Sequence, residues 1–228
     1  MKEIKVAIHQ PNFMPWLGYF HKMSLVDIFV LLDDVQVPTG KSFATRVLIK
    51  TNTGELWVSV PTQHKSDKND FNGVQVLNSN WKNKSLKTIR LAYQKAPHFK
   101  TYSEAFEEAF LRASTTLFEL NYSLLVFLKE SLELKTEFVR SSELGVGEDV
   151  SGADKIMATL KAVSATTYVS GAGSGSKRYI NEEDFKAEGI NLVWQKFSSQ
   201  PYSQLHGEFI PTLSALDYLF NCGPLKLT

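Results

Sequence analysis

The chain has 228 residues, 43% of them hydrophobic and 21% charged, which suits one elaborated α/β domain or two small ones. Its formal net charge is +1, so it lacks the strong basic field by which proteins bind nucleic acid or an anionic membrane. Cys222 is its one cysteine, which excludes an internal disulfide and a cysteine-based zinc site.

The first 34 residues predict a strand, a loop, a helix and a second, parallel strand. The strands are the apolar runs 4–8 and 28–32, and the helix covers residues 17–25. In open α/β sheets, ligands bind in the crevice beyond the carboxyl ends of the strands. Five polar residues follow those ends: His9, Gln10, Asn12, Asp33 and Asp34. We therefore expect a site there.

The middle of the chain predicts a hairpin followed by helices. The β-prone runs 42–50 and 55–60 flank a turn that ends in Gly54, which is typical of a hairpin. A polar loop over 63–73 and a short strand over 74–77 come next, and then a helix over 84–95 that Pro97 ends.

Two capping boxes predict the starts of the next helices. Thr101 with Glu104 predicts a helix over 102–112, and Thr116 with Glu119 predicts one over 117–134. The second stretch is the longest apolar one, but acids and a lysine interrupt it, so it is typical of an amphipathic helix and not of a membrane span.

The last third of the chain again alternates strands with helices. The predicted elements are a strand over 136–140, a helix over 153–163 capped by Ser151, a strand over 166–169, a helix from Asn181 to Gly189, a strand over 192–197 and a final helix reaching Phe220. This order predicts an α/β fold with a Rossmann-like, mostly parallel sheet, an antiparallel hairpin extension and a helical insertion. The predicted parts are residues 1–83, the insertion 84–134, and residues 135–228 with the closing helix.

His9 and the paired acids are the first candidate site residues. A lone histidine at a strand end is explained by a hydrogen bond to a neighbouring carbonyl, but His9 together with Gln10, Asn12, His21 and the acids favours a functional site. Because side chains alternate along a strand, we expect one of Asp33 and Asp34 to face the crevice and the other to be solvated or to form a turn.

A glycine-rich loop after the strand 166–169 is the second candidate. Backbone N–H groups and two cations in this loop are suited to binding phosphate or carboxylate. Its candidate residues are Ser170, Gly171, Ser174, Ser176, Lys177 and Arg178. The spacing matches neither a Walker A loop nor a dinucleotide fingerprint, and an ordinary flexible turn is the alternative.

Three further residues have two readings each. Arg46 and Lys50 on the hairpin form either a substrate clamp or the solvent face of an edge strand. His206 lies in a polar loop that either reaches the site or caps the last helix.

We expect a cytoplasmic protein, because the apolar run before His9 is too short for a signal peptide. The sequence identifies no cofactor and no oligomeric state.

Several blocks of the chain resemble the WbqC-like protein family. The most specific is HQPNFMPWLGYFHKM at 9–23, with DIFVLLDDVQ at 27–36. Later blocks are RVLIK at 46–50, YVSG at 168–171, EGI at 188–190, YSQLHGEF at 202–209 and LDYLFNCG at 216–223. The resemblance implies a role in surface-glycan biosynthesis, such as O-antigen or capsule, with transfer of an acyl or aminoacyl group to an amino sugar.

That reaction assigns roles to most of the candidates. His9 would be the general base, oriented by Asp33 or Asp34, while Gln10 and Asn12 would bind the substrate and steady the oxyanion. The loop 171–178 would hold phosphate, and Arg46 a carboxylate or a second phosphate. The expected substrate is a small molecule, a nucleotide-linked or lipid-linked sugar.

Three alternatives stay open. The first is nucleotidyl transfer to a small substrate, because the opening strand, loop and helix are similar at the level of fold to nucleotidylyltransferases. The second is a non-catalytic sugar-nucleotide-binding protein. The third is a metal hydrolase that uses His9, His21 and an aspartate, which no tight ligand spacing supports.

Overall fold

The structure is a computed structural model that describes residues 3–63, 69–77, 80–147 and 149–225. Its strands are β1 (Lys5–His9), β2 (Ile28–Leu31), β3 (Arg46–Thr51), β4 (Gly54–Ser59), β5 (Thr62–Gln63), β6 (Gln75–Val76), β7 (Glu137–Arg140), β8 (Thr167–Gly171) and β9 (Asn191–Gln195). Its helices are α1 (Leu17–Ser24), α2 (Trp81–Tyr93), α3 (Phe99–Leu111), α4 (Leu117–Ser131), α5 (Gly152–Ala162), α6 (Ser174–Lys177), α7 (Glu182–Ala187) and α8 (Ala215–Cys222). Residues 64–68 of the predicted polar loop lie outside the described residues.

The chain divides into two compact units. The first comprises Met1–Gln10, His21–Asp34 and Lys135–Ser198. The second comprises Pro11–Phe20, Val35–Leu134 and Ser199–Thr228. In the described part of both units, no helix is long and apolar enough to cross a membrane.

A five-stranded parallel sheet forms the core of the first unit, in the order β7-β2-β1-β8-β9. The predicted α/β fold with a mainly parallel sheet is therefore confirmed, and so is the opening strand–helix–strand unit. A cluster of buried side chains packs at this sheet: Val6, Ile8, Val30, Leu160, Tyr168, Phe185 and Ile190. Removal of this apolar surface from water is the main force that holds the sheet to its helices.

The strands β1 and β8 pair along only part of their length. Their ladder joins Lys5 to Thr167 and Val6 to Tyr168, whereas β1 runs on to His9 and β8 to Gly171. The sheet grows from β1 through β2 and β7 on one side, and through β8 and β9 on the other. The gap between β1 and β8 is thus the switch point of the topology, where ligands bind in open α/β sheets.

The second unit contains the predicted hairpin, which is confirmed. β3 and β4 pair antiparallel from Arg46 opposite Ser59 to Thr51 opposite Gly54. Gly54 has a φ of 107°, a backbone conformation that favours glycine. The helices α2, α3, α4 and α8 of the second unit meet in an aromatic core, whose rings are Tyr93, Phe99, Phe106, Phe110, Phe127 and Phe220.

The two predicted capping boxes have different outcomes. At α4 the prediction is confirmed, because the Thr116 hydroxyl accepts from the Glu119 N–H at 3.2 Å and the Glu119 carboxylate accepts from the Thr116 N–H at 3.0 Å. At α3 it is wrong, because the helix begins at Phe99, before Thr101. Phe99 packs on Phe220 with ring centroids 5.0 Å apart, so tertiary packing extends the helix past the predicted cap.

Candidate functional site

The crevice at the carboxyl ends of β1, β8 and β9 is the candidate site. In the first unit it collects the predicted residues His9, Gln10 and His21, together with the glycine-rich loop after β8. The ladder between β1 and β8 stops at Val6 and Tyr168, so the strands are not paired by a backbone ladder at this edge. Polar side chains at a topological switch point are well placed to contact a ligand.

The His9 ring is held by its own loop. Its Nδ1 lies 3.0 Å from the Gln10 carbonyl oxygen, which can only accept, so Nδ1 carries the hydrogen and donates. Burial, and after it the charge of Lys22, lowers the pKa of His9 to about 3. The imidazole is therefore neutral at pH 7, and the Gln10 carbonyl fixes its orientation.

Lys22 is a buried amine beside His9 that the sequence reasoning did not single out. Its side chain reaches from α1 to β1, where Nζ donates to the Ile8 carbonyl at 3.3 Å. Nζ also lies 5.6 Å from the centre of the Phe29 ring. Burial lowers the pKa of Lys22 to about 7. An amine that is half protonated at neutral pH is a recognised mark of functional lysines.

Asp33 and Asp34 are both engaged by residues that lie more than 100 positions later in the chain. Asp33 is fully buried; its carboxylate binds Arg140 Nη2 at 2.8 Å and accepts from the Ser142 hydroxyl at 2.7 Å. Asp34 forms an ion pair with Lys155 at 2.7 Å. Asp34 is half-buried at a bend of the chain, and which of the two acids faces the crevice stays a prediction. These contacts tie the end of β2 to the segments after β7 and to α5.

The glycine-rich loop differs in shape from a simple turn. β8 extends through Ser170 and Gly171, and one helical turn, α6, spans Ser174 to Lys177. Ser170 is buried, Ser176 is half-buried, and Lys177 and Arg178 are exposed. The guanidinium of Arg178 lies 4.5 Å from the Tyr179 ring centre. The side chain of Ser174 lies outside the described part of the structure.

A hollow of about 520 Å³ adjoins this loop. Its lining residues are Ala172, Lys177, Ile180, Glu182, Trp194, Gln195 and Lys196. The Lys177 ammonium lies 5.9 Å from the Trp194 ring centre, and the Trp194 N–H donates to the Glu182 carboxylate at 3.0 Å. Because Ala172 follows β8 and Gln195 ends β9, the hollow opens at the carboxyl edge of the sheet.

His21 contacts Gln195, one of the residues that line this hollow. The Gln195 side-chain amide lies 3.0 Å from His21 Nδ1, and the His21 ring lies 4.9 Å from that of Phe197. Burial lowers the pKa of His21 below its ordinary value. The end of α1 and the end of β9 therefore lie together at this edge.

Three predicted site residues lie in the second unit. Asn12 is half-buried in the loop after β1. Arg46 stacks on Trp57, with its guanidinium carbon 3.9 Å from the ring centre, and its Nε is buried without a hydrogen-bond partner among the described residues. His206 has Nε2 only 2.8 Å from the Ala92 carbonyl oxygen, to which it donates.

Lys50 is neither a surface residue nor a partner of Arg46 in a clamp. It is 2% exposed, and Nζ donates to Gln204 Oε1 at 3.2 Å, to the Gly207 carbonyl at 3.1 Å and to the Glu208 carbonyl. The conspicuous loop 202–209 thus receives a structural explanation, since Lys50 fixes its backbone from inside the second unit.

Five site residues were not predicted from the sequence: Lys22, Glu182, Trp194, Gln195 and Lys196. Lys22 carried one weak signal, a lysine in a short helix that is mostly apolar. The others lie in a helix start and a strand that were predicted as scaffold alone. Among the described residues no group of three His, Cys, Asp or Glu side chains could hold a metal ion.

Comparison with known proteins decides the kinship of the chain. A model of the WbqC-like protein family matches residues 10–228. The chain belongs to the WbqC-like family. The resemblance found in the motifs is thereby confirmed. A protein of Mycobacterium tuberculosis (strain ATCC 25618 / H37Rv), described as Uncharacterized protein Rv1507c, is 32% identical to this WbqC-like chain over 222 residues, covering 96% of this chain and 94% of its own length. No solved structure matches the chain.

Proposed function

We propose that this WbqC-like protein is an enzyme of surface-polysaccharide biosynthesis that transfers an acyl or aminoacyl group to the amine of a nucleotide-linked amino sugar. The glycans in question are of the O-antigen or capsule kind. Family membership supports the pathway, and the crevice at the switch point supports the substrate class.

The hollow beside β8 and β9 is the observation that carries the substrate class. Its volume of about 520 Å³ lies within the range of small-molecule sites. It offers an indole face from Trp194 for a nucleobase, and ammonium groups from Lys177 and Lys196 for phosphate oxygens. Glu182, already bound to the indole N–H, can accept hydrogen bonds from sugar hydroxyls.

The proposed step forms an amide. The amine nitrogen of the sugar attacks the carbonyl carbon of the donor, a C–N bond forms, and the bond from that carbon to the leaving group breaks. The nitrogen gives up one proton, which His9 accepts while the leaving group departs with the electron pair. With a pKa of about 3, His9 is a weak base, so it takes the proton late, when the nitrogen is already acidic.

The remaining roles follow from position. Gln10 adjoins His9 at the end of β1 and is assigned to the substrate. Asp33 and Asp34 are assigned to the scaffold, because Arg140 and Lys155 bind them. Asn12, Arg46 and His206 stay predictions as substrate-binding residues of the second unit.

The test compares the surface glycan of a deletion strain with that of complemented strains. Mass spectrometry of the repeat unit is expected to show an amino sugar that has lost its acyl or aminoacyl mass in the deletion strain. Wild-type protein restores the mass, and the double variant Lys177→Ala, Lys196→Ala does not. Lys161→Ala is the matched control, since this exposed lysine pairs with Glu188 away from the hollow. An unchanged repeat unit in the deletion strain would contradict the proposal.

A binding experiment separates transfer of an acyl group from nucleotidyl transfer. The purified protein is titrated with uridine diphosphate and with ATP or CTP, with and without Mg²⁺, while Trp194 fluorescence is followed against a Trp194→Phe control. Saturable binding of uridine diphosphate that needs no Mg²⁺ is the expected result. Binding of a free triphosphate that strictly requires Mg²⁺ favours nucleotidyl transfer instead.

A further inference from the structure

Lys22 lies where β1 and β8 diverge. Along β1, the Ile4 carbonyl accepts from the N–H groups of Thr166 and Thr167, on the side of β8. Because backbone groups alternate along a strand, the Ile8 carbonyl points to the same side. The ladder has ended by then, and the Lys22 ammonium takes up this carbonyl at 3.3 Å. The amine therefore lies in the gap at the switch point.

The amine is buried without a counter-ion. Lys22 is 4% exposed, and among the described residues it makes no ion pair and has one hydrogen-bond acceptor for its three N–H bonds. The carboxylate nearest in sequence, Asp27, accepts from the Lys5 N–H at 2.8 Å, and the next two, Asp33 and Asp34, are bound by Arg140 and Lys155. A buried charge without a partner is costly and shifts its own protonation.

Building on the proposed function, we propose that Lys22 binds the diphosphate of the nucleotide-linked substrate, which supplies the counter-ion that this buried amine lacks. Binding of the diphosphate then takes two steps. The exposed ammonium groups of Lys177 and Lys196 attract the anion, and Lys22 fixes it in the gap between β1 and β8. Backbone N–H groups of the loop after β8 are available for the remaining oxygens.

Binding is coupled to proton uptake. In the free protein the pKa of Lys22 is about 7, so the amine is mainly neutral at pH 8. A diphosphate beside it raises this pKa, and about one proton enters with the ligand.

The groups that face Lys22 do not replace it in this role. β1 presents His9, which stays neutral because its own pKa is about 3. β2 presents the ring of Phe29, and the acids past its end are already paired. From α1 itself, His21 has a pKa lowered by burial, so it too is neutral at pH 8.

Calorimetry of the full chain tests this. Uridine diphosphate is titrated at pH 8 in two buffers of different ionisation enthalpy, which gives the number of protons taken up. The wild type is expected to take up about one proton. Lys22→Met is expected to take up none and to bind at least tenfold more weakly, whereas Lys22→Arg binds without proton uptake because arginine is always charged. Lys161→Met is the control and retains the wild-type values.

Inorganic pyrophosphate is the second probe, because it lacks both base and sugar. Weaker binding of pyrophosphate than of uridine diphosphate, with Lys22-dependent uptake in both, supports a nucleotide carrier. Equal binding of the two supports the same anion site for a diphosphate of another carrier, such as a lipid.

Two results overturn the inference. One is proton uptake that is the same in the wild type and in Lys22→Met, provided that thermal unfolding shows the variant to be folded. The other is a wild type that binds neither probe. The proposed transferase fails separately, when deletion leaves the glycan unchanged. Lys22-dependent proton uptake on binding of pyrophosphate then still supports the anion site.

Discussion

Arg140 binds the carboxylate of Asp33 with two nitrogens, Nε and Nη2, each 2.8 Å from Oδ2. The carboxylate is buried, and it also accepts from the Ser142 N–H at 3.0 Å, the Ser141 hydroxyl at 3.1 Å and the Ser142 hydroxyl at 2.7 Å. Such a set of contacts holds the ends of two neighbouring strands, β2 and β7, in register.

Asp33→Asn is therefore expected to lower the free energy of unfolding by about 3 kcal/mol, because a buried ion pair loses one partner. Urea unfolding followed by circular dichroism measures this. Glu188→Gln, which breaks the exposed pair with Lys161 at 2.7 Å, is the control and should cost about 0.5 kcal/mol or less. A stable Asp33→Asn variant that has lost activity would instead support a direct role in the reaction.

Lys22 is expected to make stability depend on pH. Its pKa is about 7 in the folded protein, against 10.5 for an ordinary lysine, so between these values the unfolded chain binds more protons. Stability from this group therefore rises with pH, by about 1.4 kcal/mol per pH unit above pH 7. Lys22→Met lacks this group. From pH 7 to pH 9 the free energy of unfolding of the wild type should therefore rise relative to that of Lys22→Met, as measured by urea unfolding. Equal slopes for both proteins would show that Lys22 is solvated.

The pKa of His9 is expected to rise in Lys22→Met but to stay below 6.5. Lys22 is the second cause of the depression, so its removal relieves part of it, while burial, the larger cause, remains. An NMR titration of the imidazole Hε1 signal gives both values directly. Lys155→Met, which removes the partner of Asp34, serves as the comparison. An unshifted His9 in Lys22→Met would mean that the two side chains do not interact.

The two threonines of the predicted capping boxes should respond differently to alanine. Thr116→Ala removes the acceptor for the Glu119 N–H and should cost about 1 kcal/mol. Thr101 lies inside α3, where alanine is the better helix former, so Thr101→Ala should be neutral or slightly stabilising. Thermal or urea unfolding of the pair settles the matter, and equal losses would indicate that Thr101 has a tertiary contact.

Sequence patterns were sufficient where structure is local. The alternation of apolar runs with turn residues predicted β1, α1, β2 and the hairpin, because hydrophobic periodicity and glycine turns act over a few residues. The capping box at Thr116 succeeded for the same reason. The one at Thr101 failed because Phe99 packs on Phe220 of α8, a helix that lies far away in the sequence.

Partners distant in sequence decided what the patterns could not. Nothing near Asp33 indicates Arg140, and nothing near Lys50 indicates the loop that it holds. Lys22 looked like an ordinary helical lysine because burial is a property of the fold. The boundaries 1–83, 84–134 and 135–228 stay a prediction, as do the roles of His9 and of the loop after β8.

The early end of the β1–β8 ladder has a consequence for selectivity. The gap it leaves is bordered by Lys22, and the neighbouring hollow by Lys177 and Lys196, while the two acids that follow β2 form ion pairs with Arg140 and Lys155. On the proposals above, a free monosaccharide brings nothing that these ammonium groups can hold. Sugars without a diphosphate therefore do not compete for the site. The protein selects its substrate by the diphosphate, before the amine to be modified is bound.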